Sequence, residues 1–95
     1  MDRELKRGTL ELVLLHLLDA KDRYGYEMTA EVAERSRGSY ELKEGTLYPV
    51  LYRLEKAGQV EPYWETQDRG VPRKYYRITA AGRAELVRQR EGWLS

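Results

Sequence analysis

Thr46-Leu47-Tyr48-Pro49-Val50-Leu51-Tyr52-Arg53-Leu54-Glu55-Lys56-Ala57-Gly58 is the stretch on which the fold turns. Leu47, Val50, Leu51 and Leu54 recur at helical spacing, which predicts a helix from about Thr46 to Ala57 with one apolar stripe facing inward. Gly58 is placed to end it in the left-handed conformation that glycine adopts without strain. Pro49 falls near the third helical position, where its missing N–H would go unused. With the stripe inward, Tyr48, Pro49, Tyr52, Arg53 and Lys56 face out. Solvated helix faces are usually rich in Glu and Lys, whereas this one carries tyrosines, a proline and cations. Arginine can read guanine edges or clamp phosphate, and a tyrosine hydroxyl can donate to phosphate. Thr46 would add its hydroxyl and the free N–H groups of the helix start. Plainer uses stand beside these: Tyr48 half-buried against a neighbouring helix, Tyr52 packed under a hairpin, Arg53 paired with Glu55 or Glu44, and Lys56 merely solvated.

Toward the N-terminus, Tyr26 to Arg35 reads as a second helix, with Tyr26, Ala30 and Ala33 on one face and Met28 and Val32 beside it; Ser36-Arg37-Gly38-Ser39 breaks it. Lys21 to Tyr24 reads as a polar turn. Before it, Leu10, Val13, Leu14, Leu17 and Leu18 form an amphipathic stripe with Thr9 as N-cap. Leu12 and Leu15 lie on the other side of this helix, so it needs a second cover. Toward the C-terminus, Val60 and Trp64 share one face of a first strand. In a second, Tyr76 and Ile78 point one way and Tyr75 and Arg77 the other. Gln67-Asp68-Arg69-Gly70 supplies the turn between them. Thr79 caps a final helix in which Leu86 with Trp93, and Val87 with Leu94, recur seven residues apart, a narrow stripe suited to pairing helices.

The chain of 95 residues fits one domain and is small enough that association with a second copy is expected. Cysteine is absent, which removes disulfides and thiolate metal sites and is compatible with a cytoplasmic location. The longest apolar run, Leu12 to Leu15, is too short for a membrane span, and the charged N-terminus lacks a signal-peptide core. Net charge is only +1, but residues 69 to 77 hold Arg69, Arg73, Lys74 and Arg77 with no acidic residue among them, a candidate basic strip.

Three helices, a hairpin and a closing helix give an α+β, mostly α, winged helix-turn-helix with a C-terminal dimerisation helix. The third helix is then the one able to enter a major groove. Glu44-Gly45-Thr46-Leu47-Tyr48-Pro49, Leu54-Glu55-Lys56-Ala57-Gly58, and Pro72-Arg73-Lys74-Tyr75-Tyr76-Arg77-Ile78-Thr79 with Gly82 resemble the PadR family of transcriptional regulators, as does Tyr24-Gly25-Tyr26-Glu27. The resemblance runs over residues 5 to 94 and places the chain in the short subgroup with a single C-terminal helix. It implies a homodimeric repressor that binds an inverted-repeat operator in double-stranded DNA and is released by a small molecule. The motif-matching positions that would touch DNA are Tyr24, Lys43, Thr46, Tyr48, Pro49 and Arg53, with Arg73 and Lys74 on the wing; Tyr52 joins them from the outward helix face. Residues 1–79 would form the DNA-binding part and residues 80–95 the dimerisation helix. Leu12 and Leu15 would be covered by the partner's last helix, alongside Leu86, Val87, Trp93 and Leu94. Trp93, eleven residues after Gly82, is similar in placement to a tryptophan that lines a flat, drug-binding pore between subunits in that subgroup. It would then bind a planar aromatic compound, or serve only to anchor the paired helices.

Two rival classes remain open on the residues alone. A winged helix can bind protein instead of DNA, although Tyr52, Arg53 and Lys56 argue against it. An enzyme is disfavoured: the lone His16 sits in an apolar helix, Glu27, Glu31 and Glu34 read as a solvated face, and no phosphate loop, HExxH pair or GxSxG turn occurs. No cofactor or metal is expected.

Overall fold

Helices form where the apolar residues recur at helical spacing, and a computed structural model describes residues 7–66 and 70–94. Helix α1 spans Arg7–Ala20, strand β1 Arg23–Tyr24, α2 Gly25–Arg35, α3 Glu44–Lys56, β2 Val60–Thr66, β3 Pro72–Ile78 and α4 Ala80–Leu94. The sheet is antiparallel in the order β1-β3-β2. This mostly helical α+β arrangement is the winged helix-turn-helix. One apolar core joins Leu10, Leu14, Leu17 and Leu18 of α1, Met28 and Val32 of α2, the stripe of α3, Val60, Tyr76, Ile78 and Leu86.

Two helix ends are closed by the same device. After α3, Gly58 takes φ 74°, and the N–H groups of Gly58 and Gln59 bond the carbonyls of Glu55 and Leu54 at 2.9 Å each. After α2 the left-handed position falls on Arg37, at φ 54°, followed by Gly38 at φ 77°. Thr79 caps α4 as expected, accepting from the Gly82 N–H at 3.1 Å while donating to the Gly58 carbonyl at 2.6 Å.

Several expectations are corrected. Thr9 lies inside α1, which is already helical from Arg7. The segment read as a polar turn holds β1: Arg23 pairs with Tyr76 and Tyr24 with Tyr75. Arg23 is buried there, its Nε donating to the Leu17 carbonyl at 3.1 Å with Nη1 3.6 Å from Glu31. It thus adds a second donor to a carbonyl in the last turn of α1 that otherwise accepts only a long 3.4 Å bond from the Lys21 N–H. In α2 the buried residues are Gly25, Met28 and Val32, while Tyr26 faces solvent. Trp64 shares its strand face with Val60, yet it stands 65% exposed because the hairpin runs past the core. Helix α3 starts two residues early, at Glu44, so Pro49 is the sixth helical residue. The N–H it lacks would have bonded the Gly45 carbonyl; both residues face solvent, where water can replace that bond. The turn residues Gln67, Asp68 and Arg69, and the side chains of Trp93 and Leu94, lie outside the described residues.

Leu15 requires the largest revision. It is 1% exposed within a single chain. Helix α1 packs against α3, β3 and α4 of its own protomer, so the cover that Leu15 needs is already present. Leu86 likewise sits in the protomer's core. Neither is available to a partner.

Candidate nucleic-acid interface

Among the described residues, the outward side of α3 is left largely uncovered. Lys43, Thr46, Pro49, Tyr52 and Arg53 are all exposed, Tyr52 by 61% with the Lys56 ammonium 5.7 Å from its ring centre. The Thr46 N–H, however, is not available to an anion: it bonds the Lys43 carbonyl at 3.0 Å, so only its hydroxyl is on offer.

Tyr48 belongs partly to packing. Its hydroxyl end lies over Gly25 at the start of α2, so close that any side chain at Gly25 would collide with it. Burial, and then the Glu44 carboxylate, push its phenol above the ordinary range, with Lys74 opposing. The two motif segments Tyr24-Gly25-Tyr26 and Leu47-Tyr48-Pro49 therefore meet in space: they are the contact that sets α3 against α2.

The wing divides the remaining candidates by strand alternation. Tyr24, Tyr75 and Tyr63 form one row across the three strands, in register. Tyr24 meets Tyr75 edge-on at 5.2 Å and Tyr75 stacks on Tyr63 at 5.7 Å. The Arg73 guanidinium covers Tyr24 at 4.7 Å and Arg77 covers Tyr63 at 4.8 Å. Arg73 is thus held beside Tyr24, next to the N-terminus of α2. Lys74 lies on the opposite face, 5.7 Å from the centre of the Tyr76 ring and directly across from Trp64. The row is braced at its far end by a 2.6 Å bond from the Tyr63 hydroxyl to Asp22, which raises that phenol to about 12.

Two residues of this surface escaped sequence reasoning. Trp64 was given a strand face with Val60 and no role. Glu11, on α1, takes the ion pair expected of Glu55 or Glu44: Arg53 Nε donates to Glu11 Oε2 at 3.1 Å. No local pattern reveals it, since the two residues lie 42 apart in the chain. Glu27 also departs from a merely solvated role, accepting from the Tyr24 N–H at 3.2 Å to close the start of α2.

Away from this face, α1, α2 and α4 enclose a groove of about 480 Å³. Leu12, Val13, Leu17, Val32, Tyr40 and Leu86 give it apolar walls, with His16, Arg35 and Arg90 among its polar members. His16 is solvent-exposed in the single chain and stands 3.0 Å from Arg90 Nη2 through Nδ1. Val87 on α4 is 49% exposed.

Known proteins share this fold. Residues 14–88 match the family described as the transcriptional regulator PadR-like family. A transcriptional regulator of Mycobacterium tuberculosis is 39% identical over 88 residues, covering 93% of this chain and 78% of its own. A transcriptional regulator from Clostridium thermocellum superposes with TM-score 0.83 at 36% identity, covering 92% of this chain and 84% of its own. A PadR family transcription regulator from Clostridium difficile does so with TM-score 0.78 at 35% identity, covering 88% and 85%.

Proposed function

The chain belongs to the PadR-like family of transcriptional regulators, and from that membership we propose that it is a cytoplasmic homodimeric repressor of an inverted-repeat operator, released by a small planar aromatic effector. DNA binding and transcriptional regulation, not catalysis, follow from the family. No described helix is long and apolar enough to cross a membrane.

The observation that carries the reading is the open outward side of α3, where Thr46, Pro49, Tyr52 and Arg53 share one exposed surface. In this reading α3 lies in the major groove, Arg53 reads a base edge, and Lys43, Thr46 and Tyr52 hold phosphates. Tyr48 supports α3 from behind. Tyr24 with Arg73, and Lys74 on the other face of the wing, contact the flanking backbone. Residues 1–79 carry this surface and residues 80–95 pair with a second copy. Leu12, Val13 and Val87 offer the apolar area for that pairing, which Trp93 and Leu94 would join. The effector would enter between the two copies beside Trp93.

Titration of duplexes selected from a random pool tests the reading. Arg53→Ala is expected to weaken binding by roughly 1–3 kcal/mol, and the selected sequences to show two half-sites about 34–36 Å apart. Unchanged affinity would remove Arg53 from the interface. A single-chain mass by light scattering at micromolar concentration would remove the dimer. For the effector, planar aromatic compounds should quench tryptophan fluorescence saturably, and Trp93→Ala should abolish the effect while Trp64→Phe leaves it.

A further inference from the structure

Among the described residues Arg53 uses one of its donors within the protein. Its Nε donates to Glu11 Oε2 at 3.1 Å. A guanidinium presents its donors in a fixed planar fork, so engaging Nε leaves the two terminal Nη groups, the pair suited to the O6 and N7 acceptors of guanine. The carboxylate comes from a rigid support: α1 is anchored on both sides of Glu11 by buried Leu10, Leu14 and Leu15. Held there, it limits the rotamers of a long side chain that is otherwise 41% exposed.

The same contact has an electrostatic consequence. A carboxylate beside the cation cancels much of its pull at longer range, so Arg53 contributes little to indiscriminate attraction for phosphate. Affinity alone would favour a neutral residue at position 11. Discrimination favours the acid, because only the correct base offers acceptors placed to meet the presented fork.

We infer that Glu11 is a positioning residue that sets base specificity through Arg53, at the expense of sequence-independent affinity. This rests on the reading of Arg53 as a base contact. The relevant quantity is the ratio of affinities for a duplex selected from a random pool and a scrambled duplex of equal length.

The test is a double-mutant cycle on the full chain. Glu11→Gln should lower that ratio roughly three- to tenfold, the range of an ordinary net hydrogen bond, as suits a part-exposed pair. It should leave binding to the scrambled duplex equal or tighter, with a salt slope steeper by about one phosphate contact. In an Arg53→Ala background Glu11→Gln should leave the ratio unchanged. Arg53→Lys, which keeps the charge but loses the fork, should reproduce the lowered ratio and be insensitive to Glu11→Gln. If Arg53→Ala leaves both duplexes bound as before, the base-contact reading itself fails. If Arg53→Ala lowers the ratio but Glu11→Gln does not, that reading stands and the role of Glu11 is overturned. An equal fall of the ratio in both backgrounds also overturns it, since Glu11 would then act without Arg53. Thermal denaturation of each variant separates these outcomes from a mere α1–α3 staple, which would lower the melting temperature without moving the ratio.

Discussion

Arg37 holds the left-handed position after α2 with φ 54°, a conformation that crowds Cβ against the carbonyl. Arg37→Gly is therefore expected to raise stability by about 1 kcal/mol, seen as a higher urea midpoint with unchanged slope. Tyr63 gives the pH dependence. Its bond to Asp22 holds the phenol protonated, up from the ordinary 10 to about 12. The folded state keeps this proton more tightly than the unfolded chain does. The associated stability is accordingly complete below pH 10 and is lost as pH rises toward 12. Denaturation curves taken across that window should fall more steeply with pH for the native chain than for Tyr63→Phe. Equal slopes would show that the bond to Asp22 does not persist in solution.

At the scale of elements, the decisive contact is between the start of α2 and the side of α3. Gly25→Ala would drive a methyl group into the Tyr48 ring and hydroxyl. The expected cost is about 1–3 kcal/mol, because the Tyr48 ring must swing from its place against α2, with weaker duplex binding where α3 loses that support. Tyr48→Phe should recover part of the stability in the double variant, and additive effects in that cycle would separate the two residues. Gly82 repeats the pattern, since a side chain there would meet the Gln59 carbonyl. That obstacle is backbone and cannot swing aside, so Gly82→Ala should loosen α4 from the α3–β2 junction.

For the whole molecule, the question is which apolar surface serves the single chain and which would serve the proposed pair. Leu15 and Leu86 are covered within the protomer, whereas Leu12 and Val13 line the open groove and Val87 is exposed. Leu15→Ala should then destabilise the protomer itself by about 2–5 kcal/mol. Val87→Lys should leave the circular dichroism of the chain intact while lowering its mass in light scattering to that of one copy. A stable dimer of the Val87→Lys protein would place the pairing surface elsewhere.

Much of the architecture was legible in local pattern. The leucine stripes of α1 and α3, Gly58 as a helix stop, Thr79 as a cap and the alternation of Tyr75, Tyr76, Arg77 and Ile78 depend on neighbours a few residues away, and those neighbours are written in order along the chain. The outward set on α3 followed from the same periodicity. Tertiary structure decided the rest. β1 is two residues long and exists because β3 lies alongside it; Arg23 is buried between that strand, the Leu17 carbonyl and Glu31. Leu15 turns inward because α3, β3 and α4 all reach α1. Arg53 meets Glu11 across 42 residues. Helical and strand periods state which side chains share a face, but which faces then meet is set by how the elements pack around one core. That packing brings together residues whose separation along the chain carries no periodic signal.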